Sequence, residues 1–231
     1  MRSGGGYYRI IGWLAAAAVV VAAPAFAQLS ASLSVDSDYR YRGIDLSRDR
    51  PALRLDLAYD HPGGAYGGVS LIGMRDTPYG DIGVSYIGYA GYVWQPSAGP
   101  SWEAGVADTH IHNGANYDFA EVYGGLATRA FTVRVHYAPD YYGSHARTLY
   151  SEFDASRRLA PMWRAFLHAG TLTPVSGERR RERYDLRAGL ALSLSPYEIQ
   201  AAWSRSNPLP GYATHRPDGG NALVLSATRF F

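Results

Sequence analysis

Cysteine is absent from the 231 residues, which removes disulfide staples, thiol chemistry and the lipid-modified cysteine of an exported lipoprotein. Lysine is absent as well, so every basic residue is arginine. Phenylalanine and methionine are scarce, 7 and 3 residues against 19 tyrosines and 26 glycines, a balance that suits strands and membrane interfaces. After the first residues there is no long apolar run, so no later segment can cross a bilayer as a helix. If the remainder enters a membrane it must do so as strands, because only helices and closed barrels satisfy every backbone group in lipid. An excess of one charge is also missing. Removing Arg2 and Arg9 with the leader leaves basic and acidic residues equal in number, and a neutral chain gives no electrostatic case for nucleic acid.

The one apolar run opens the chain. MRSGGGYYR carries arginines and no acid, leads into IIGWLAAAAVVVAAP and ends at Ala25-Phe26-Ala27. The run is shorter than a spanning helix and closes on an A-x-A site, which predicts a signal peptide over residues 1–27, cut between Ala27 and Gln28.

From Gln28 onward the period is two. Leu29, Ala31, Leu33, Val35, Tyr39 and Tyr41 alternate with Ser30, Ser32, Ser34, Asp36, Asp38, Arg40 and Arg42. Leu53, Leu55, Leu57 and Tyr59 alternate with Arg54, Asp56 and Asp60, and the same rhythm returns in FTVRVHY, MWRAFLHA and residues 184–194. Weaker candidates are Ala65 to Met74, Ile82 to Trp94, Ser101 to His110, Tyr117 to Ala127, Arg147 to Ala155, Tyr197 to Ser206 and Ala222 to Phe231. The expectation is an all-β, transmembrane, up-and-down antiparallel barrel of about twelve strands over residues 28–231. Ten or fourteen strands are the alternatives.

The connections alternate in length. Tight turns at 61–64, 95–100, 128–130, 156–161 and 195–196 separate longer polar stretches at 43–50, 75–81, 111–116, 138–146, 171–183 and 207–221. Bacterial outer-membrane barrels keep short turns in the periplasm and long loops outside, so the pattern predicts that orientation in a Gram-negative bacterium. ALVLSATRFF ends on aromatic Phe231, with Leu223, Leu225 and Ala227 at a two-residue step, similar to the terminal assembly signal of such barrels. Arg229 departs from it. Tyr39, Tyr41, Tyr59, Tyr92, Trp94, Trp102, Tyr137, Trp163, Tyr184, Tyr197 and Trp203 lie toward strand ends, where membrane girdles sit, although aromatics also favour strands in general.

Residues 34–73 resemble the TorF family of porins. Ser37, Asp38, Tyr39, Arg42 and Gly43 match its S-D-Y-x-x-R-G strand end, and Pro51, Ala52, Tyr59, Gly64, Tyr66 and Gly68 continue the pattern. The resemblance covers the first quarter of the mature chain and implies an outer-membrane, porin-like barrel without naming a solute.

With apolar faces toward lipid, Asp36, Asp38, Arg40, Arg42, Arg54, Asp56, Arg134, His136, Glu152, Asp154, Arg164, His168, Asp185 and Arg187 are expected to line the lumen. Such residues hold water and set a field for passing solutes. Equally, they could pair with one another and fill a narrow barrel. Asp38, Arg40 and Arg42 read as sharing one strand face at the outer mouth, either as a charged constriction or as a salt-bridged hinge that turns at Gly43. The expected function is passive diffusion of small hydrophilic solutes or ions. A non-conducting structural or lipid- or partner-binding barrel is the alternative, with an outer-membrane lipid hydrolase a less favoured one. In that alternative the cluster Glu178, Arg179, Arg180, Arg181, Glu182 and Arg183 in a loop meets lipopolysaccharide phosphates or plain solvent. An enzyme is not expected. His110, His112, Asn113, Ser144 and His145 form no nucleophile motif, and His110-x-His112 is half a metal site, so neither metal nor cofactor is expected. Expected partners are outer-membrane lipids, lipopolysaccharide, the barrel-assembly machinery and small solutes, with the oligomeric state open.

Overall fold

The computed structural model describes residues 28–75, 82–112, 118–143, 145–176, 182–207 and 220–231. The expected leader and its cleavage residue Ala27 lie outside the described residues, and the described chain opens at Gln28. In chain order the strands are β1 (Gln28–Asp36), β2 (Arg40–Tyr41), β3 (Ile44–Asp45), β4 (Ala52–Asp60), β5 (Ala65–Arg75), β6 (Ile82–Trp94) and β7 (Ser101–His110). There follow β8 (Phe119–Ala127), β9 (Phe131–Ala138), β10 (Arg147–Arg158), β11 (Trp163–Ser176), β12 (Arg183–Leu194), β13 (Tyr197–Ser206) and β14 (Gly220–Phe230). All except β2 and β3 form one closed antiparallel barrel of 12 strands, and β2 and β3 are a separate miniature hairpin.

The barrel closes where β1 meets β14, with Ser32 opposite Phe230 and Asp36 opposite Ser226. Alternation then sorts side chains to two solvents. Leu33, Leu53, Val106, Val122, Leu167, Leu190 and Leu225 are exposed on the outside, whereas Ser34, Asp56, Glu103, Glu121, Asp154, Asp185 and Thr228 are buried inside. A continuous apolar exterior of this extent suits lipid and would be a liability in water. Trp94 faces Trp102 across β6 and β7, and with exposed Trp163 and Tyr197 they gather at the short-turn end.

Interior tyrosines pack on glycines of adjacent strands. A Cβ on Gly91 would lie 2.6 Å from the ring of Tyr66, one on Gly105 2.5 Å from Tyr123, and one on Gly170 would overlap the Tyr150 hydroxyl. The glycines supply the room that large rings need inside a closed wall.

Three sequence expectations are corrected. The first strand stops at Asp36, and Tyr39 and Tyr41 leave the wall for the interior instead of joining a girdle. β11 runs on to Ser176, because Leu172 is buried while Thr171 and Thr173 continue the ladder opposite Ser151 and Leu149. β12 begins at Arg183, which points inward, so this arginine belongs to the wall and not to a solvated loop. Residues Glu178 to Arg181 lie outside the described residues.

Gly170→Ala is expected to destabilise the barrel by about 1–3 kcal/mol in urea unfolding, through overpacking against Tyr150. In a Tyr150→Ala background the same change should cost less than half as much.

Candidate functional site

The segment after β1 folds into the barrel. Tyr41 and Ile44 face each other across a two-residue turn in which Arg42 (φ 49°) and Gly43 (φ 71°) both take the left-handed conformation. That is the geometry of a tight type I′ hairpin, easy for glycine and strained for arginine. The strain is held by what Arg42 reaches. Its guanidinium meets Glu121 of β8 at 2.6 Å and stacks 4.2 Å from the ring centre of Tyr150 on β10, across the lumen from β1 and β4. Gly43 accepts a hydrogen bond from Ser206 Oγ at 2.9 Å, and its backbone lies so close that an added Cβ would be 2.6 Å from Asp185 Cβ.

Apolar side chains fill the space on both sides of the hairpin. Tyr39 packs with Ala52, Ile72, Met74 and Ile87, and Ile44 packs with Ile111, Phe119, Tyr141, Tyr142, Tyr150 and Leu172. Tyr41 and Leu46 touch both groups. The long-loop end of the lumen is therefore occupied by the chain itself. Asp38 anchors the base: it pairs with Arg40 Nε at 2.5 Å and accepts from Ser47 Oγ at 3.1 Å. Asp38, Arg40 and Arg42 do not share a strand face. The first two bind each other, and the third spans the barrel.

Beneath the hairpin lies a cavity of about 510 Å³ that reaches the short turns at Thr128 to Phe131. Its walls include Asp36, Arg54, Arg134, His136, Glu152, Asp154, Arg164, His168, Asp185 and Arg187, and its roof Asp38, Arg40 and Arg42. Asp56 is buried on the inner face of β4 and binds Arg54 at 2.8 Å, Ser70 and Ser32. The charges are joined in chains. Glu121 takes Arg42 and His136 Nδ1, both at 2.6 Å, and the other imidazole nitrogen of His136 faces Glu152 at 3.3 Å. Arg134 bridges Glu103 and Glu152. His168 sits between Asp154 at 2.7 Å and Asp185 at 2.8 Å, with the Tyr150 hydroxyl 3.1 Å from its Nε2. Arg164 pairs with Glu198 at 2.9 Å.

Glu103 and Glu198 were not among the sequence candidates. The signal for Glu103 is its flanking by outward Trp102 and Ala104, and for Glu198 its flanking by Tyr197 and Ile199. Among the described residues two groups have spacing compatible with a cation, Glu152 with Asp154 and His168, and Asp38 with Asp45 and Asp49, the ligand atoms of each lying within 4.8 Å of one another. In the first group both imidazole nitrogens already face carboxylates, the arrangement of an imidazolium held by ion pairs. His110 turns outward to Asp118 at 2.7 Å and stacks on Tyr86, while the His112 ring lies against Gly83, so the two histidines do not converge. Asn113 and Ser144 lie outside the described residues.

A family model described as a bacterial protein of unknown function (Gcw_chp) matches residues 21–217. No curated protein sequence matches. Among solved structures, a NanC porin is similar at TM-score 0.59 and 10% identity, covering 87% of this chain and 99% of its own. A KdgM porin is similar at TM-score 0.55 and 10% identity, again covering 87% of this chain and 99% of its own. At that identity the likeness concerns the fold, a barrel of the same kind.

Asp45, at the exit of the miniature hairpin, carries a carboxyl raised to about 7 by burial and then by the neighbouring Asp38, while Arg40 pulls it down and the Asp49 N–H bonds to its charged form. An acid raised in the folded loop favours the protonated state there. The loop is therefore held most firmly below the ordinary carboxyl range and loses stability as pH rises through about 7. A nitroxide attached at Arg50→Cys in this cysteine-free chain should gain mobility between pH 5 and 8.5, and Asp45→Asn should abolish that change.

Proposed function

The chain belongs to the Gcw_chp family, and we propose from its own geometry that it is a porin-like outer-membrane channel for passive diffusion of small hydrophilic solutes, gated by the β2–β3 hairpin. One observation carries this: a closed barrel with an apolar exterior encloses a charged cavity of about 510 Å³ that runs from the short-turn end to the underside of that hairpin. A wall that existed only as structure would have no use for a charged space of this size beneath the hairpin. The porin names of the structural neighbours and the TorF resemblance of residues 34–73 fit the same reading. So does the terminal Phe231, exposed at the barrel edge as an assembly signal would be.

In this reading the short turns face the periplasm and the hairpin closes the outer mouth. Outer-membrane lipids and lipopolysaccharide surround the wall, and the assembly machinery inserts it. Catalysis has less support. Among the described residues, His110 pairs with Asp118 and His145 with Asp140, and neither is hydrogen-bonded to a serine.

Residues 28–231, refolded and inserted in a planar bilayer, should show discrete conductance steps. Arg42→Ala and Glu121→Gln remove the two ends of a latch with side-chain exposures of 7% and 2%, so each should lengthen the open periods several-fold. A folded, inserted barrel that stays silent in the parent and both variants would overturn the channel reading in favour of a structural or partner-binding barrel.

A further inference from the structure

β12 turns Arg183, Asp185 and Arg187 toward the interior. Asp185 is engaged by His168 and by the Tyr150 hydroxyl. Elsewhere in the lumen Arg42, Arg54, Arg134 and Arg164 each hold a carboxylate. Among the described residues the two β12 arginines hold none. Arg183 is only 2% exposed, and its Nε and both terminal nitrogens lack any hydrogen-bond partner. The Nε of Arg187 is likewise buried and unpartnered, and its guanidinium lies 5.7 Å from the ring centre of Phe166. Asp36 acts on Arg187 electrostatically, yet it is shared by Arg54 at 3.5 Å and by Ser226. A guanidinium stays charged at every accessible pH, and a buried charge without a counterpart is costly. Among the described residues nothing supplies that counterpart for Arg183, and Arg187 lines the cavity, where an anion can reach it.

Their position says what that charge would be doing. The hairpin tip touches β12 at Asp185, between the two arginines. Arg183 lies on the long-loop side of this contact, and Arg187 lines the cavity on the other side, roughly 13 Å along the strand at the usual rise. We propose that Arg183 and Arg187 are successive docking positions for the anionic group, a carboxylate or phosphate, of the solute that this barrel admits, one on each side of the hairpin contact. This rests on the channel reading and names its substrate class. The guanidinium fork matches both oxyanions with paired hydrogen bonds. A neutral or cationic solute would leave both charges unmatched. Lipopolysaccharide phosphates lie outside the wall, whereas both arginines face inward.

Inorganic phosphate is the probe, titrated calorimetrically into refolded residues 28–231 at fixed ionic strength. The parent should bind it, Arg183→Gln and Arg187→Gln should each weaken binding by about tenfold or more, and the double variant should show none. Phosphate should raise the melting temperature of the parent and not of the double variant. Without phosphate, Arg183→Gln should melt no lower than the parent, since it removes an unmatched charge. In bilayers under a salt gradient, the double variant should shift the reversal potential away from anion preference. Conductance steps without phosphate binding would overturn this inference and leave the channel standing. Phosphate binding by a silent barrel would keep the oxyanion site and remove the channel. An Arg183→Gln variant destabilised equally with and without phosphate would assign Arg183 a purely structural role and overturn its part.

Discussion

The pairing of β1 with β14 is the constraint from which the remaining features follow. In lipid a free strand edge would leave a row of backbone groups without partners, so the sheet must close. Closure here uses a short ladder from Ser32 to Asp36 against Ser226 to Phe230, extended by the Phe231 N–H to the Ala31 carbonyl at 3.0 Å. Phe231 is thus a part of the seam. Arg229, which breaks the apolar step of the last strand, lies on the outward register with its guanidinium 4.7 Å from the centre of the Phe231 ring, an accommodation available at the edge of a bilayer. Once the sheet is closed, every inward position faces a confined space. Charge placed there must be paired, hydrated or matched by a ligand.

Pairing is the solution adopted for most of it. The Glu121–His136–Glu152–Arg134–Glu103 chain and the Asp154–His168–Asp185 bridge organise the wall without adding much net stability, because desolvation offsets attraction in such places. Their effect is on shape and position. The hairpin uses one member of that network as its counterpart: Arg42 accepts a strained backbone at φ 49° and gains Glu121 and the face of Tyr150. Removing the carboxylate would leave the strain uncompensated. In the proposed channel, gating would act on this element, whose position depends on a few interactions.

The barrel was legible in the sequence because its rule is local. Alternation in ALRLDLAYD or FTVRVHY follows from the two-sided environment of each strand and needs no knowledge of its neighbours. The strand number and the alternation of short and long connections followed as well. What misled was the continuation of the same alternation through SDYRYR, where the chain leaves the wall after Asp36 yet keeps a period of two, because a hairpin packed between two apolar groups is also two-sided. Arg42-Gly43 is an unusual pair for a type I′ turn, and only Glu121 and Tyr150, remote in sequence, make it workable. Arg183 was hidden for a related reason. It follows a run of charge that reads as solvated loop, and only the pairing of β12 with Leu172 turns it inward. Residues on one strand can be assigned a face from sequence, but which of them meet across the lumen depends on the ring order of the strands.

That ring order also decides what field a solute would meet. Where an arginine and a carboxylate are bonded, each cancels most of the other a few ångströms away, so the many charges of the wall contribute little at the centre of the cavity. What remains is set by charges that the wall leaves unmatched. On β12, among the described residues, these are Arg183 and, shared in part with Asp36, Arg187, and between them Asp185 is already committed to His168. That strand thus turns two arginines inward without a bonded carboxylate among the described residues, although basic and acidic residues are equal in number from Gln28 onward, and composition alone could not have disclosed it. The hairpin rests on β12 at Asp185 and on the adjacent β13 at the paired Ser206, so the element that occupies the long-loop end of the lumen and these two arginines meet on one part of the wall. An anion arriving at Arg183 would compete for space with the tip of the hairpin. The energy of matching a buried guanidinium is available to displace it.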